Sequence, residues 1–225
     1  MALIAKTITK DFLTKKYLLS FQTHFGSRQL FRNSELDEFV YGFDGISNSV
    51  YNVEKTMVAF KRALQFLIIL STNNKTILFV GTDIKTKKLV KTLSIPLNQP
   101  YVHTRWIKGL LTNWENISSS VKFYKLFQKR LQLSKKSKSK LELTFQGLSR
   151  LTELPSAIFL FDSHLNKEII KEAKRLNIPV IAVINNKTLM SNDIDYPIYT
   201  NTDSVLSLSL ITISVDDQGL LLAYN

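Results

Sequence analysis

His103, Arg105, Trp106 and Lys108 fall within six residues, and Gly109 and Asn113 follow closely. An Arg guanidinium can clamp a phosphate through two parallel hydrogen bonds. His and Trp rings can stack on unpaired bases, a common way of reading RNA. These residue types at this spacing point to nucleic-acid binding. For the two tryptophans, packing is the stronger reading. Trp106 and Trp114 are expected to be buried at the base of a helical insertion, with Arg105 and Lys108 left to face a partner.

Catalytic constellations are missing. With no cysteine in the chain, disulfides, thiolate zinc sites and thiol nucleophiles are excluded together. His24, His103 and His164 are far apart in sequence. Asp162-Ser163-His164 ends an apolar run, but no further ligands adjoin it, so no metal is expected there. TILFVGTDIKTKK (76–88) has one glycine after its apolar run and meets neither the dinucleotide fingerprint nor the P-loop pattern. Lys85, Lys87 and Lys88 are read as a solvated helix face. No nucleophile elbow is present. The expectation is a protein without catalytic residues, cofactor or metal.

The elements that must position these residues follow from apolar periodicity. Residues 7–20 suggest a short helix, HFGSRQ (24–29) a loop, and FVY (39–41) a short strand before a glycine-bearing turn. Asn52 can cap a helix in which Val53, Met57, Phe60, Leu64 and Leu67 share one face. TILFV (76–80), AIFLF (157–161), IPVIAVI (178–184) and PIYT (197–200) read as strands, with helices over 83–94 and 166–176 between them. Strands apolar on both faces and separated by helices predict a doubly wound parallel α/β sheet. SVLSLSLITISV (204–215) alternates like a strand, yet the crossover needs a helix there, with Asp203 as N-cap.

Residues 112–152 interrupt that rhythm. Trp114, Ile117, Val121, Tyr124 and Leu131 form one stripe at helical spacing, and Leu141, Phe145, Leu148 and Leu151 form another. SKKSKSK (134–140) lies between them as a turn. The pattern predicts a basic helical hairpin over 112–152, inserted into one α/β domain made of 1–111 and 153–225, with a basic arm over 1–34. The large apolar side chains of the hairpin are expected to be sealed in its seam.

Charge is concentrated in the same places. The net charge is +12 over 225 residues. Residues 1–34 hold six basic residues and one acidic, and residues 115–150 hold nine and two. After Lys187 there is no Lys or Arg, while five Asp follow. A directed positive face suits a polyanion. The opening MALIAKTITKDFLTKK lacks the apolar core of a secretory signal. No apolar run is long enough to span a membrane.

YVHTRWIKGLLTNW (101–114) resembles the signature of the universal small-subunit ribosomal protein two family. HFGSRQ (24–29), NVEKT (52–56), ILFVGT (77–82), LPSAIFLFD (154–162) and EAKRLNIPVIAV (172–183) are similar to further family segments in collinear order. Departures include Ser27, Lys108 and Asn185, where the family commonly has His, Gly and Asp, and a hairpin about a dozen residues shorter than is usual in bacteria. The resemblance implies a flavodoxin-like sheet carrying a helical hairpin, in a structural protein of the small ribosomal subunit with no catalytic activity. Its partners would be small-subunit rRNA and neighbouring ribosomal proteins, with no small-molecule substrate and no membrane. The rRNA-binding residues expected are Arg28, Arg32, Arg105, Lys108, Asn113, Lys122, Lys125, Lys129 and Arg130. The divergence, with few Gly and Ala beside many Lys, Asn, Ile and Phe, suggests a mitochondrial ribosome. A plastid or a bacterial cytoplasm stays open. The alternatives in other classes are a nucleotide-binding α/β enzyme and a peripheral membrane protein docking through the basic hairpin.

Overall fold

Residues 77–80, 157–160 and 180–184 carry no polar side chain on either face, so each must be covered twice. In the computed structural model, which describes residues 14–28, 39–45, 48–130, 142–185 and 191–215, they are the centre of a five-stranded parallel sheet. Chain order gives α1 (Lys15–Ser20), β1 (Phe25–Arg28), β2 (Val40–Phe43), β3 (Asn48–Tyr51) and α2 (Val53–Thr72). Next come β4 (Ile77–Val80), α3 (Ile84–Ser94), β5 (Tyr101–Val102) and α4 (Trp114–Arg130). The chain continues through β6 (Ala157–Leu160), α5 (Lys167–Arg175), β7 (Val180–Ile184), β8 (Tyr196–Tyr199) and α6 (Val205–Val215).

The parallel sheet has the order β5-β4-β6-β7-β8. Renumbered from its first strand this is 2-1-3-4-5, the flavodoxin-like order. Ile77 pairs with Ala157, Ile158 with Val180 and Ile181 with Tyr196. Alternate residues then point to opposite faces. Ile77, Phe79, Phe159, Ile181 and Val183 meet Phe60, Leu64 and Leu67 of α2, Val90 and Leu93 of α3, and Leu208 and Ile211 of α6. Leu78, Val80, Ile158, Leu160 and Ala182 face Ile169, Ile170 and Ala173 of α5, with Trp106, Leu110, Val121 and Leu148. The doubly wound reading therefore holds.

Local chemistry sets the helix starts. Asn52 Oδ1 accepts the N–H groups of Glu54 and Lys55 at 3.0 and 3.3 Å, the expected cap of α2. Residues 205–215 are helical, as the crossover argument requires. Leu208 N–H donates to Ser204, so Ser204 stands at the N-cap position expected for Asp203, which pairs instead with Lys85 at 3.3 Å.

Three short strands were not expected; one is β5, whose two residues pair in parallel with β4. Phe25–Arg28, read as loop, is β1, and 48–51 forms β3; with β2 they make an antiparallel sheet of order β1-β3-β2. β1 (FGSR) and β3 (NSVY) are short and mix polar with apolar residues, so neither an apolar run nor a strand period registers. The first helix begins after Thr14, whose hydroxyl accepts Tyr17 N–H; the earlier part of the predicted helix lies outside the described residues.

Within the segment expected to form a hairpin, α4 is helical. Residues 142–145 are helical too, and Tyr124 of α4 meets Phe145 with ring centroids 6.0 Å apart. The expected turn, together with Leu131 and Leu141, lies outside the described residues. The seam expectation needs correction. Val121 and Tyr124 are buried, but Phe123, Leu126 and Leu143 are more than half exposed. Leu126 falls four residues after Lys122 and three after Phe123, so these side chains share the exposed face of α4 with Lys122 rather than the apolar one.

Candidate functional site

The segment after β5 is held by one carboxylate. Ile169, Ile170 and Ala173 put the apolar face of α5 against the sheet, and Glu172 shares that buried face. Its Oε1 accepts the Trp106 indole N–H at 3.1 Å and the Gly109 N–H at 2.8 Å. Its Oε2 accepts the Leu111 N–H at 3.1 Å. Gly109 has φ +80°, a left-handed conformation that a side chain would strain. Leu110 and Leu111 are fully buried and Trp106 nearly so. With alternate positions pinned, Arg105 and Lys108 are turned outward, and both are exposed.

Both tryptophans pack as expected. Trp106 lies within the second core and Trp114 is half-buried against it. Lys108 forms an ion pair of 2.8 Å with Glu168. Arg105 has no carboxylate partner among the described residues. Asn113 is exposed; its backbone carbonyl accepts Ile117 N–H at the start of α4, and its Oδ1 accepts the Asn116 amide at 2.6 Å. Lys122 is exposed and Lys125 half-exposed on α4. Lys129 and Arg130 end α4 and Arg28 ends β1, but their side chains, like all of Arg32, lie outside the described residues. The structure thus gathers Arg105, Lys108 and Asn113 on one segment that leads straight into the lysines of α4.

His103 is buried beside Tyr101. Burial, reinforced by Lys91 and Lys87, pushes its pKa down to about 4. A neutral, enclosed ring cannot stack on a base, so His103 belongs to the packing and not to the recognition surface.

The same geometry explains why this sheet lacks the usual phosphate loop. Asp162 lies two residues beyond β6 and is buried. One of its oxygens, Oδ2, accepts the N–H groups of Thr82 and Asp83, both at 3.1 Å, and the Thr86 hydroxyl at 2.7 Å. Those N–H groups stand just before α3, where a nucleotide phosphate would otherwise bind. Burial pushes the Asp162 carboxyl above its ordinary pKa, against the opposing pull of these hydrogen bonds. Asp162 thus ties the start of α3 to the end of the β6 region. Among the described residues, no three His, Asp or Glu side chains gather as a metal site.

A profile of the family described as ribosomal protein S2 matches residues 18–220. The chain belongs to the ribosomal protein S2 family. It is 32% identical over 218 residues to the small ribosomal subunit protein uS2 of Ehrlichia chaffeensis, covering 91% of this chain and 74% of that one. It is 31% identical over 213 residues to uS2 of Pseudoalteromonas translucida, covering 88% and 86%. A third relative, uS2 of Psychrobacter sp., is 31% identical over 215 residues, covering 89% and 80%. These relatives are bacterial.

Membership of the S2 family makes the chain a structural component of the small subunit, not an enzyme. No helix among the described residues is long and apolar enough to cross a membrane. Sequence reasoning missed Glu172, which does most to shape the site. Its signal was present: it falls three residues after Ile169, on the apolar stripe of a helix. Lys87, read as one of several solvated lysines, lines a crevice with Arg105.

Proposed function

We propose that this structural protein of the small subunit binds small-subunit rRNA through a continuous basic strip, running from Arg105 and Lys108 through Asn113 to Lys122 and Lys125. The observation that carries the reading is the Glu172 clamp, which holds the 105–113 segment with its cations outward. Lys129, Arg130, Arg28 and Arg32 extend the strip in sequence. Lys-rich surfaces of this kind bind by neutralising phosphates and releasing counterions. Base contacts are secondary, because His103 and Trp106 are buried. Neighbouring small-subunit proteins are the second class of partner.

Changing Lys122, Lys125, Lys129 and Arg130 together to Ala is expected to lower the occupancy of the protein in purified small subunits several-fold. Normal occupancy would overturn the electrostatic account. A mitochondrial ribosome is the proposed location, on the strength of the composition and the short hairpin. Co-sedimentation with small subunits from fractionated organelles checks it; recovery only with cytoplasmic ribosomes refutes it.

A further inference from the structure

Open parallel sheets take ligands in the crevice beyond the carboxyl ends of the two strands where chain direction across the sheet reverses. Here those strands are β4 and β6, and a cavity of about 530 Å³ lies at that point. The volume is in the range of small-molecule sites. Three segments wall it: Thr82 and Lys87 from the β4–α3 region, Arg105 and Lys108 from the Glu172-clamped segment, and Leu165 and Asn166 after β6.

The charges in this cavity are unequal. Glu168 is also in the wall, but Lys108 neutralises it. Lys87 and Arg105 have no carboxylate partner among the described residues. They belong to different segments, so two free cations converge where the fold leaves a space. The backbone N–H groups before α3 are already taken by Asp162, so an incoming anion must be held by side chains. The Thr82 hydroxyl and the Asn166 amide, themselves 3.0 Å apart, supply neutral polar groups in the same wall. Leu165, more than half exposed, offers an apolar lip against which a sugar or base can lie.

We propose that this crevice seats one nucleoside monophosphate unit, its phosphate held between Arg105 and Lys87. The unit has two possible sources, a nucleotide within an RNA chain or a free mononucleotide. The first rests on the rRNA-binding reading; the second does not.

The test titrates the full chain by calorimetry with adenosine 5′-monophosphate and, separately, with a short single-stranded oligoribonucleotide. The double variant Arg105→Gln/Lys87→Gln is titrated alongside, with unchanged melting as the folding control. Loss of charge-assisted phosphate contacts is expected to weaken binding by about 10-fold or more. Loss of mononucleotide binding supports the crevice and identifies the free source. Loss confined to the oligonucleotide, and shared by the single variant Lys87→Gln, supports it and identifies RNA; loss that Lys87→Gln does not share is the work of the strip and overturns the crevice. If the double variant binds both ligands like the unaltered protein, or the unaltered protein binds neither, the crevice assignment is overturned. The rRNA reading is judged apart from this, by Lys122→Ala/Lys125→Ala. If that variant weakens rRNA binding while the crevice variant is inert, the crevice fails and Arg105 drops out of the strip, while the α4 part of the rRNA reading stands. The reverse result removes α4 from the rRNA reading and keeps the crevice.

Discussion

A buried carboxylate is costly unless its oxygens are engaged. Glu172 meets that condition with three N–H donors, and those donors fix the segment that carries Arg105 and Lys108. Glu172→Gln preserves the shape but turns one oxygen into an amide NH₂ that must face an N–H donor. The expected loss is about 2–3 kcal/mol in urea denaturation, with altered Trp106 fluorescence at low urea. Equal stability of the two proteins would mean that the loop is held by packing alone. His103 gives a prediction in pH. Its pKa lies at about 4 in the fold, against 6.5 when unfolded, because it is buried near Lys91 and Lys87. The unfolded chain therefore takes up a proton first as pH falls. The stability that His103 contributes is complete above pH 6.5, is lost between 6.5 and 4, and changes no further below. The full loss is at most roughly 3 kcal/mol. Asp162 acts in the opposite sense, since its raised pKa makes its ionised form a cost that acid relieves. His103→Leu is expected to flatten the decline of the urea midpoint across that window. An unchanged decline would assign it to other groups.

Gly147 ties the turn after residues 142–145 to the edge of the sheet. β5 is only two residues long, and Tyr101 N–H donates to the Gly147 carbonyl at 3.2 Å. A Cβ on Gly147 would lie 2.0 Å from the Tyr101 carbonyl oxygen, a backbone atom that cannot swing aside. Gly147→Ala is therefore expected to cost about 3 kcal/mol through overpacking, read as a lower melting midpoint; a drop of less than a degree would show that the segment is free to shift. At this scale the sequence was legible where burial was complete. The runs at 77–80, 157–160 and 180–184 declared a sheet covered on both faces because no polar residue interrupted them. α6 was harder, since its serines mimic strand alternation. Ser207 and Ser214 lie on the buried side with Leu208, Ile211 and Val215, which is helical spacing. Ser209 and Thr212 satisfy their hydroxyls on Leu206 and Ser209 carbonyls at 2.7 Å, so polar residues cost this helix little. β1 and β3 escaped notice because they are specified by pairing with distant residues, Phe25 with Val50 and Arg28 with Asn48. Glu172 could be placed on the apolar face from the sequence, but its three donors lie more than 60 residues away and only the fold brings them in.

Over the whole molecule, charge is sorted rather than balanced. The acidic residues of the sheet region are consumed internally: Asp193 pairs with Lys174, Asp203 with Lys85, and Asp195 accepts the Val180 N–H. Asp162 and Glu172 bind backbone N–H groups instead of cations. Among the described residues, Arg105 and Lys122 stay exposed without a carboxylate partner, as do Arg62, Lys88, Lys171 and Arg175, and the densest basic stretch of the sequence, 115–150, begins at α4. In the proposed mode of rRNA binding, the sheet acts as a scaffold that keeps its own electrostatics short-range and carries the positive strip. Such a surface attracts RNA over roughly a Debye length, about 8 Å at physiological salt. Its affinity should fall log-linearly with salt, each phosphate contact adding about 0.7–0.9 to the slope. Lys122→Ala/Lys125→Ala is expected to lower that slope by roughly 1.5 and to weaken different RNA sequences equally. Filter binding of rRNA fragments across a salt series measures both. A slope that does not change, with affinity lost for one sequence alone, would mean that these lysines read bases rather than neutralise the backbone.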